Sequence, residues 1–118
     1  MRIRSTVFIS LIFSLGLFGT GMAAEGGSAT GQALAFDRNK GNCLACHAIP
    51  ADPKASSPGN IGPALSGMKS RFPDRAKLRA QIWDATVNNP RTSMPPFGKN
   101  KILTEQELDL VTDYIHGI

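Results

Sequence analysis

With 118 residues, 42% of them apolar, and no low-complexity tract, the chain has room for one small folded domain and lacks the composition of a disordered protein. Its formal charge of +4 falls to +2 once Arg2 and Arg4 leave with an N-terminal export segment, so nucleic acid is not an expected partner. A domain this small gains from a crosslink, a metal or a cofactor, and the two cysteines are its only candidates for one.

Arg2 and Arg4 precede an apolar run over residues 7–18, followed by Gly21, Met22, Ala23 and Ala24. This is the pattern of a secretory signal, and the run is too short to span a bilayer. The expectation is a signal peptide over residues 1–24, cleaved near Ala24, and one exported domain over residues 25–118, without stable membrane insertion. Ile3 separates the two arginines, which favours export in the unfolded state by the general route. No cysteine lies at the cleavage site to carry a lipid.

After a Gly-rich lead-in over 25–28, residues 29–40 are helix-compatible, with Ala33, Leu34 and Phe36 supplying apolar surface and Gly41 a stop. Three prolines and the pair Ser56-Ser57 make residues 49–62 a loop. Pro73 and Asp74 open a second helical stretch, where Leu78, Ile82 and Ala85 recur at spacings of four and three until Asn88, Asn89 and Pro90 end it. Trp83 lies on its flank. Thr104 and Glu107 form a capping box, Leu103 and Leu108 a hydrophobic staple, and Leu108, Val111 and Ile115 one apolar face before Gly117. No alternating pattern of useful length occurs, so the expected class is all-α.

Cys43-Leu44-Ala45-Cys46-His47 carries the chemistry. Two thiols three positions apart can bond the two vinyl groups of one porphyrin, and the adjacent histidine is delivered to its iron, which makes the motif a c-type haem attachment site. A structural zinc site would want four nitrogen or sulfur ligands, and only His116 remains outside the motif. A thioredoxin-like pair would want a βαβ setting, and a plain disulfide across so short a loop would stabilise little. One covalent haem c is therefore expected, with His47 as the first axial ligand.

Candidates for the second are Met68, Met94, His116, a lysine or solvent. Met94 is preferred, because Thr92-Ser93-Met94-Pro95-Pro96-Phe97-Gly98 joins two expected helices and its prolines can hold a thioether in place. Met68 reads more simply as a core residue and His116 as a cation at a helix C-terminus. A His/Met pair stabilises Fe(II) and leaves no vacant position, which points to electron transfer. Phe36, Phe72, Trp83, Phe97 and Tyr114 could wall the porphyrin or simply fill the core. Lys40, Lys69, Arg71, Lys99 and Lys101 flank these segments, either as solvated surface or to steer an acidic partner.

Asn60-Ile61-Gly62-Pro63 resembles the Gly-Pro segment of class I cytochromes c, which implies that fold and assigns to the Pro63 carbonyl the proton on Nδ1 of the axial histidine. The resemblance then narrows. Phe36-Asp37-Arg38-Asn39-Lys40-Gly41-Asn42, Gly59-Asn60-Ile61-Gly62-Pro63, Arg71-Phe72-Pro73-Asp74, Ile82-Trp83-Asp84-Ala85-Thr86, Asn89-Pro90 and Met94-Pro95-Pro96-Phe97-Gly98-Lys99-Asn100 together resemble the SoxX family, small haem subunits of SoxAX cytochrome complexes. Ala64 departs from it, standing where a second proline is expected.

The resemblance implies a periplasmic heterodimer with a larger SoxA-like cytochrome subunit that carries the catalysis, a cysteine S-thiosulfotransferase reaction joining thiosulfate oxidatively to the SoxYZ carrier. This chain would be the non-catalytic subunit that passes the electrons to a downstream cytochrome c. It has no spare cysteine, since haem consumes Cys43 and Cys46. The alternative is a free, soluble electron carrier serving a respiratory oxidase or dehydrogenase.

Overall fold

A computed structural model describes residues 29–118, so the expected signal segment over 1–24 lies outside the described residues. Four α-helices follow in order: α1 (Gly31–Phe36), α2 (Met68–Arg71), α3 (Arg75–Trp83) and α4 (Glu105–His116). Single 3₁₀ turns cover Cys43–Ala45 and Ala85–Val87, and the described residues contain no strand. The all-α expectation holds. None of these helices is long and apolar enough to cross a membrane.

Helix α1 starts where the Thr30 hydroxyl accepts from the Ala33 amide and ends at Asp37, short of Lys40. The reason is local: the Asp37 carboxylate accepts the Asn39 amide at 2.8 Å, offering the backbone a bond outside the helix. Gly41 then closes back on α1, donating to the Leu34 carbonyl at 3.0 Å, and a Cβ there would stand 2.8 Å from that oxygen. The one-turn helix α2, too short to leave a periodic signal, is set up by Gly67 at φ 56°.

Asp74 caps α3 by accepting the Ala76 amide. The helix stops at Trp83 rather than Asn88, because Asp84 is extended at φ −154° and its carboxylate caps the separate turn Ala85–Val87. Helix α4 has the full capping box, with Thr104 and Glu107 each bonding the other's backbone, and Leu103 and Leu108 are both buried.

Helices α1 and α4 cross closely at Gly31, where a Cβ would stand 2.7 Å from the Leu110 carbonyl carbon and 2.8 Å from Tyr114 Cβ. Only a residue without a side chain lets the backbones meet there. Beneath the crossing lie Leu34 and Ala35 of α1 with Leu108, Val111 and Ile115 of α4; Leu78 and Ile82 of α3 join them, as do Ile49, Leu65, Phe97 and Leu103 from the loops. On the outer side, Arg75 and Arg79 pair with Glu105, Asp109 and Asp113 between α3 and α4. These exposed pairs set register more than stability.

Candidate functional site

Within this frame lies a cavity of about 710 Å³ at which three loop stretches meet the helices. Cys43, Cys46 and His47 contribute from the first, Gly62, Pro63 and Leu65 from the second, and Met94, Pro95 and Phe97 from the third. Leu78, Ile82, Val111 and Ile115 complete an apolar wall.

Cys43 and Cys46 are held by the turn Cys43–Ala45, entered through Asn42 at φ 46°. The amides of Cys46 and His47 both donate to the Cys43 carbonyl, at 3.1 and 2.9 Å. Both thiols are free and half-buried, and burial pushes Cys43 up to about 11. A redox or nucleophilic cysteine is characteristically shifted the other way, so this thiol has the character of a neutral, lining group.

His47 follows directly. Its Nδ1 lies 2.6 Å from the Pro63 carbonyl oxygen, an acceptor only, so Nδ1 carries the proton and Nε2 keeps its lone pair. The loop that supplies Pro63 is laced onto the cysteine segment: Gly59 donates to Leu44 at 2.7 Å, Gly62 to Cys46 at 2.8 Å and Leu65 to Ala48 at 2.8 Å. Gly62 lies against the imidazole, and a Cβ on it would overlap the ring.

Met94 is half-buried against the core, and its amide donates to Thr92 Oγ1 at 3.1 Å. The other two ligand candidates are placed differently. Met68 is buried and lines the cavity, while its sulfur accepts from Arg71 Nη1 at 3.2 Å. His116 Nε2 lies 2.9 Å from the Phe72 carbonyl, and the residue is not among those lining the cavity.

Phe72 and Phe97 line the cavity, whereas Phe36 and Tyr114 pack edge to face with centroids 6.1 Å apart. Trp83 lies against Gly98. Of the basic residues, Lys40 pairs with Glu107 and Lys99 with Asp84, each at 2.8 Å, and Arg71 donates to the Ala64 carbonyl at 2.9 Å. Much of this charge therefore serves internal contacts. Two carboxylates that organise the site were given no role from the sequence: Asp84, beside the Met94 loop, and Asp52, which accepts from Tyr114 and Gln32. Asp84 stands inside the helical pattern, and Asp52 had no local partner to signal it.

Two thiols, an imidazole with a free Nε2 and a thioether around an apolar cavity are a donor set that fits a covalently held haem.

The family described as "Cytochrome C oxidase, cbb3-type, subunit III" matches residues 26–115. A curated relative, an "Uncharacterized lipoprotein" of Aquifex aeolicus (strain VF5), is 35% identical over 77 residues, which are 65% of this chain and 36% of that protein. The chain thus spans about a third of the length of that relative. Among solved structures, a chain of the crystal structure of SoxXA from P. pantotrophus is similar at 28% identity and a TM-score of 0.66, covering 73% of this chain and 77% of that one.

Proposed function

The chain belongs to the cytochrome family described as cytochrome c oxidase, cbb3-type, subunit III, and is SoxX-like in fold; from that premise we propose that it is the electron-transfer subunit of a thiosulfate-oxidising complex in the periplasm. Its partner is a larger SoxA-like cytochrome, which holds the catalytic centre that couples thiosulfate to a cysteine of a SoxYZ carrier. The electrons released pass through this chain to a downstream cytochrome c. Residues 1–24 serve as the export signal.

The observation that carries this reading is the convergence of Cys43, Cys46, His47 and Met94 on one cavity, with His47 Nδ1 tied to the Pro63 carbonyl. Cys43 and Cys46 would hold haem c through thioether links, and His47 Nε2 and Met94 Sδ would ligate its iron. Pro63 holds the imidazole ring in one orientation and raises its basicity. Bound haem c supplies a one-electron Fe(III)/Fe(II) couple. The apolar wall of Leu78, Ile82, Val111 and Ile115 excludes water and favours the less charged, reduced state.

The comparison that favours a partner subunit over a freely diffusing carrier is the likeness to a chain of the SoxXA structure. Affinity capture of the tagged, natively matured protein from cells grown on thiosulfate is expected to recover a second, larger haem protein in stoichiometric amount. Recovery of the monomer alone would favour the free carrier.

A further inference from the structure

The loop that presents Met94 has no regular structure between the turn Ala85–Val87 and α4, yet both of its ends converge on one side chain. We propose that Asp84 is a positioning residue that latches the Met94 loop closed, holding the thioether in place from both sides; the inference rests on Met94 being the axial ligand.

Asp84 is 3% exposed. On the N-terminal side of the loop, its Oδ1 accepts from the Thr86 amide at 3.0 Å and from the Thr86 hydroxyl, which fixes the turn Ala85–Val87. From that turn the bonds run on without a break. The amides of Asn88 and Asn89 donate to the Ala85 carbonyl at 3.2 and 3.0 Å, and the Thr92 amide donates to Asn89 at 3.0 Å. Thr92 Oγ1 in turn accepts from Met94 itself, at 3.1 Å.

On the C-terminal side, Asp84 Oδ2 accepts from Lys99 Nζ at 2.8 Å. The amides of Gly98 and Lys99 donate to the Trp83 carbonyl, immediately before Asp84, at 3.1 and 3.2 Å. Gly98 can approach because it has no Cβ to strike the Trp83 indole. Among the described residues, the Asp84–Lys99 bond is the side-chain hydrogen bond that joins the two ends of the loop. A charge-assisted bond whose acceptor is buried is strong and leaves an unpaired charge if broken. The ammonium of Lys99, and next the hydroxyl of Thr86, hold the Asp84 carboxyl below the ordinary carboxylate range, so the latch is ionised at neutral pH.

An aspartate that served only to cap Ala85–Val87 would not need Lys99, and this separates a latch from a structural cap. Lys99 is 55% exposed along its side chain, so Lys99→Met leaves the cap intact and removes only the far end of the latch. The readout is the rate at which cyanide binds the ferric, haem-loaded protein, since cyanide enters only when the sulfur leaves, together with the absorption band of sulfur-ligated ferric haem.

Lys99→Met and Asp84→Asn are expected to raise the cyanide rate on the order of tenfold and weaken the band, while Lys99→Arg stays within about twofold of the parent. Parent-like rates in Lys99→Met, alongside immediate binding by Met94→Leu, would overturn the latch and leave the ligand assignment standing. A parent protein that binds cyanide as fast as Met94→Leu would remove Met94 from the ligand set, and the latch with it. Should Asp84→Asn fail to fold, Lys99→Met against Lys99→Arg decides the matter.

Discussion

Tyr114 donates a 2.6 Å hydrogen bond to Asp52 across 62 residues of sequence, tying α4 to the loop that follows the cysteine motif. Gln32 of α1 donates to the same oxygen at 2.5 Å, and the Lys54 amide to the other at 2.9 Å. One carboxylate thus joins both terminal helices to the segment beside the site.

A two-sided pH profile follows. The Tyr114 hydroxyl, and next the Gln32 amide, hold the Asp52 carboxyl below its ordinary range, so its stabilisation is complete above about pH 4 and is lost as pH falls through the folded value. Burial first, and then the bond to Asp52, push the Tyr114 phenol above its ordinary value. That contribution is complete below about pH 10 and is lost as pH rises beyond it. Thermal unfolding of the haem-loaded protein against pH should show both limbs. Tyr114→Phe should flatten the alkaline one and Asp52→Asn the acid one; unchanged limbs would contradict the assignment.

Gly31→Val should force α1 and α4 apart, since its side chain would meet the Leu110 carbonyl and Tyr114 Cβ. A loss of about 2 kcal/mol is expected in denaturant unfolding. A midpoint equal to the parent's would mean that the helices slide freely at this crossing.

Gly62→Ala should strike the imidazole of His47. The expected cost is about 1–3 kcal/mol of stability, with a change in the haem absorption spectrum because the ring must tilt away from the Pro63 carbonyl. A spectrum identical to the parent's would show that the loop yields instead of the histidine.

Met94→Leu removes the thioether while keeping its approximate volume. The reduced variant should bind carbon monoxide at neutral pH, which the parent should not, and its reduction potential should fall. Spectra and potential unchanged by the substitution would point to another ligand, and Met68, buried at the same cavity, would be examined next.

What the sequence reveals here is what neighbours along the chain decide. The spacing of Cys43, Cys46 and His47 and the reciprocal cap of Thr104 and Glu107 involve residues within four positions, and the apolar face of α4 repeats within one helix. Periodicity also finds α3, but it carries the helix past Trp83 to Asn88. The hydrophobic repeat through Leu78, Ile82 and Ala85 is blind to an aspartate that turns its carboxylate to Thr86 and Lys99. Likewise α1 ends at Asp37 because a side chain outbids the helical bond.

Long-range pairings are the least legible part. His116 is a possible ligand as long as its position is unknown, and its bond to the Phe72 carbonyl depends on α4 returning to that loop. Lys40 and Lys99 read as surface charge until Glu107 and Asp84 arrive beside them.

Leu78, Ile82, Val111 and Ile115 belong to the buried core and at the same time border the cavity. One set of side chains thus serves as the core of the fold and as the wall of a prosthetic-group site. Porphyrin supply should therefore govern abundance as well as function, because a chain that misses its cofactor loses the contacts that back its own core and spends more time unfolded.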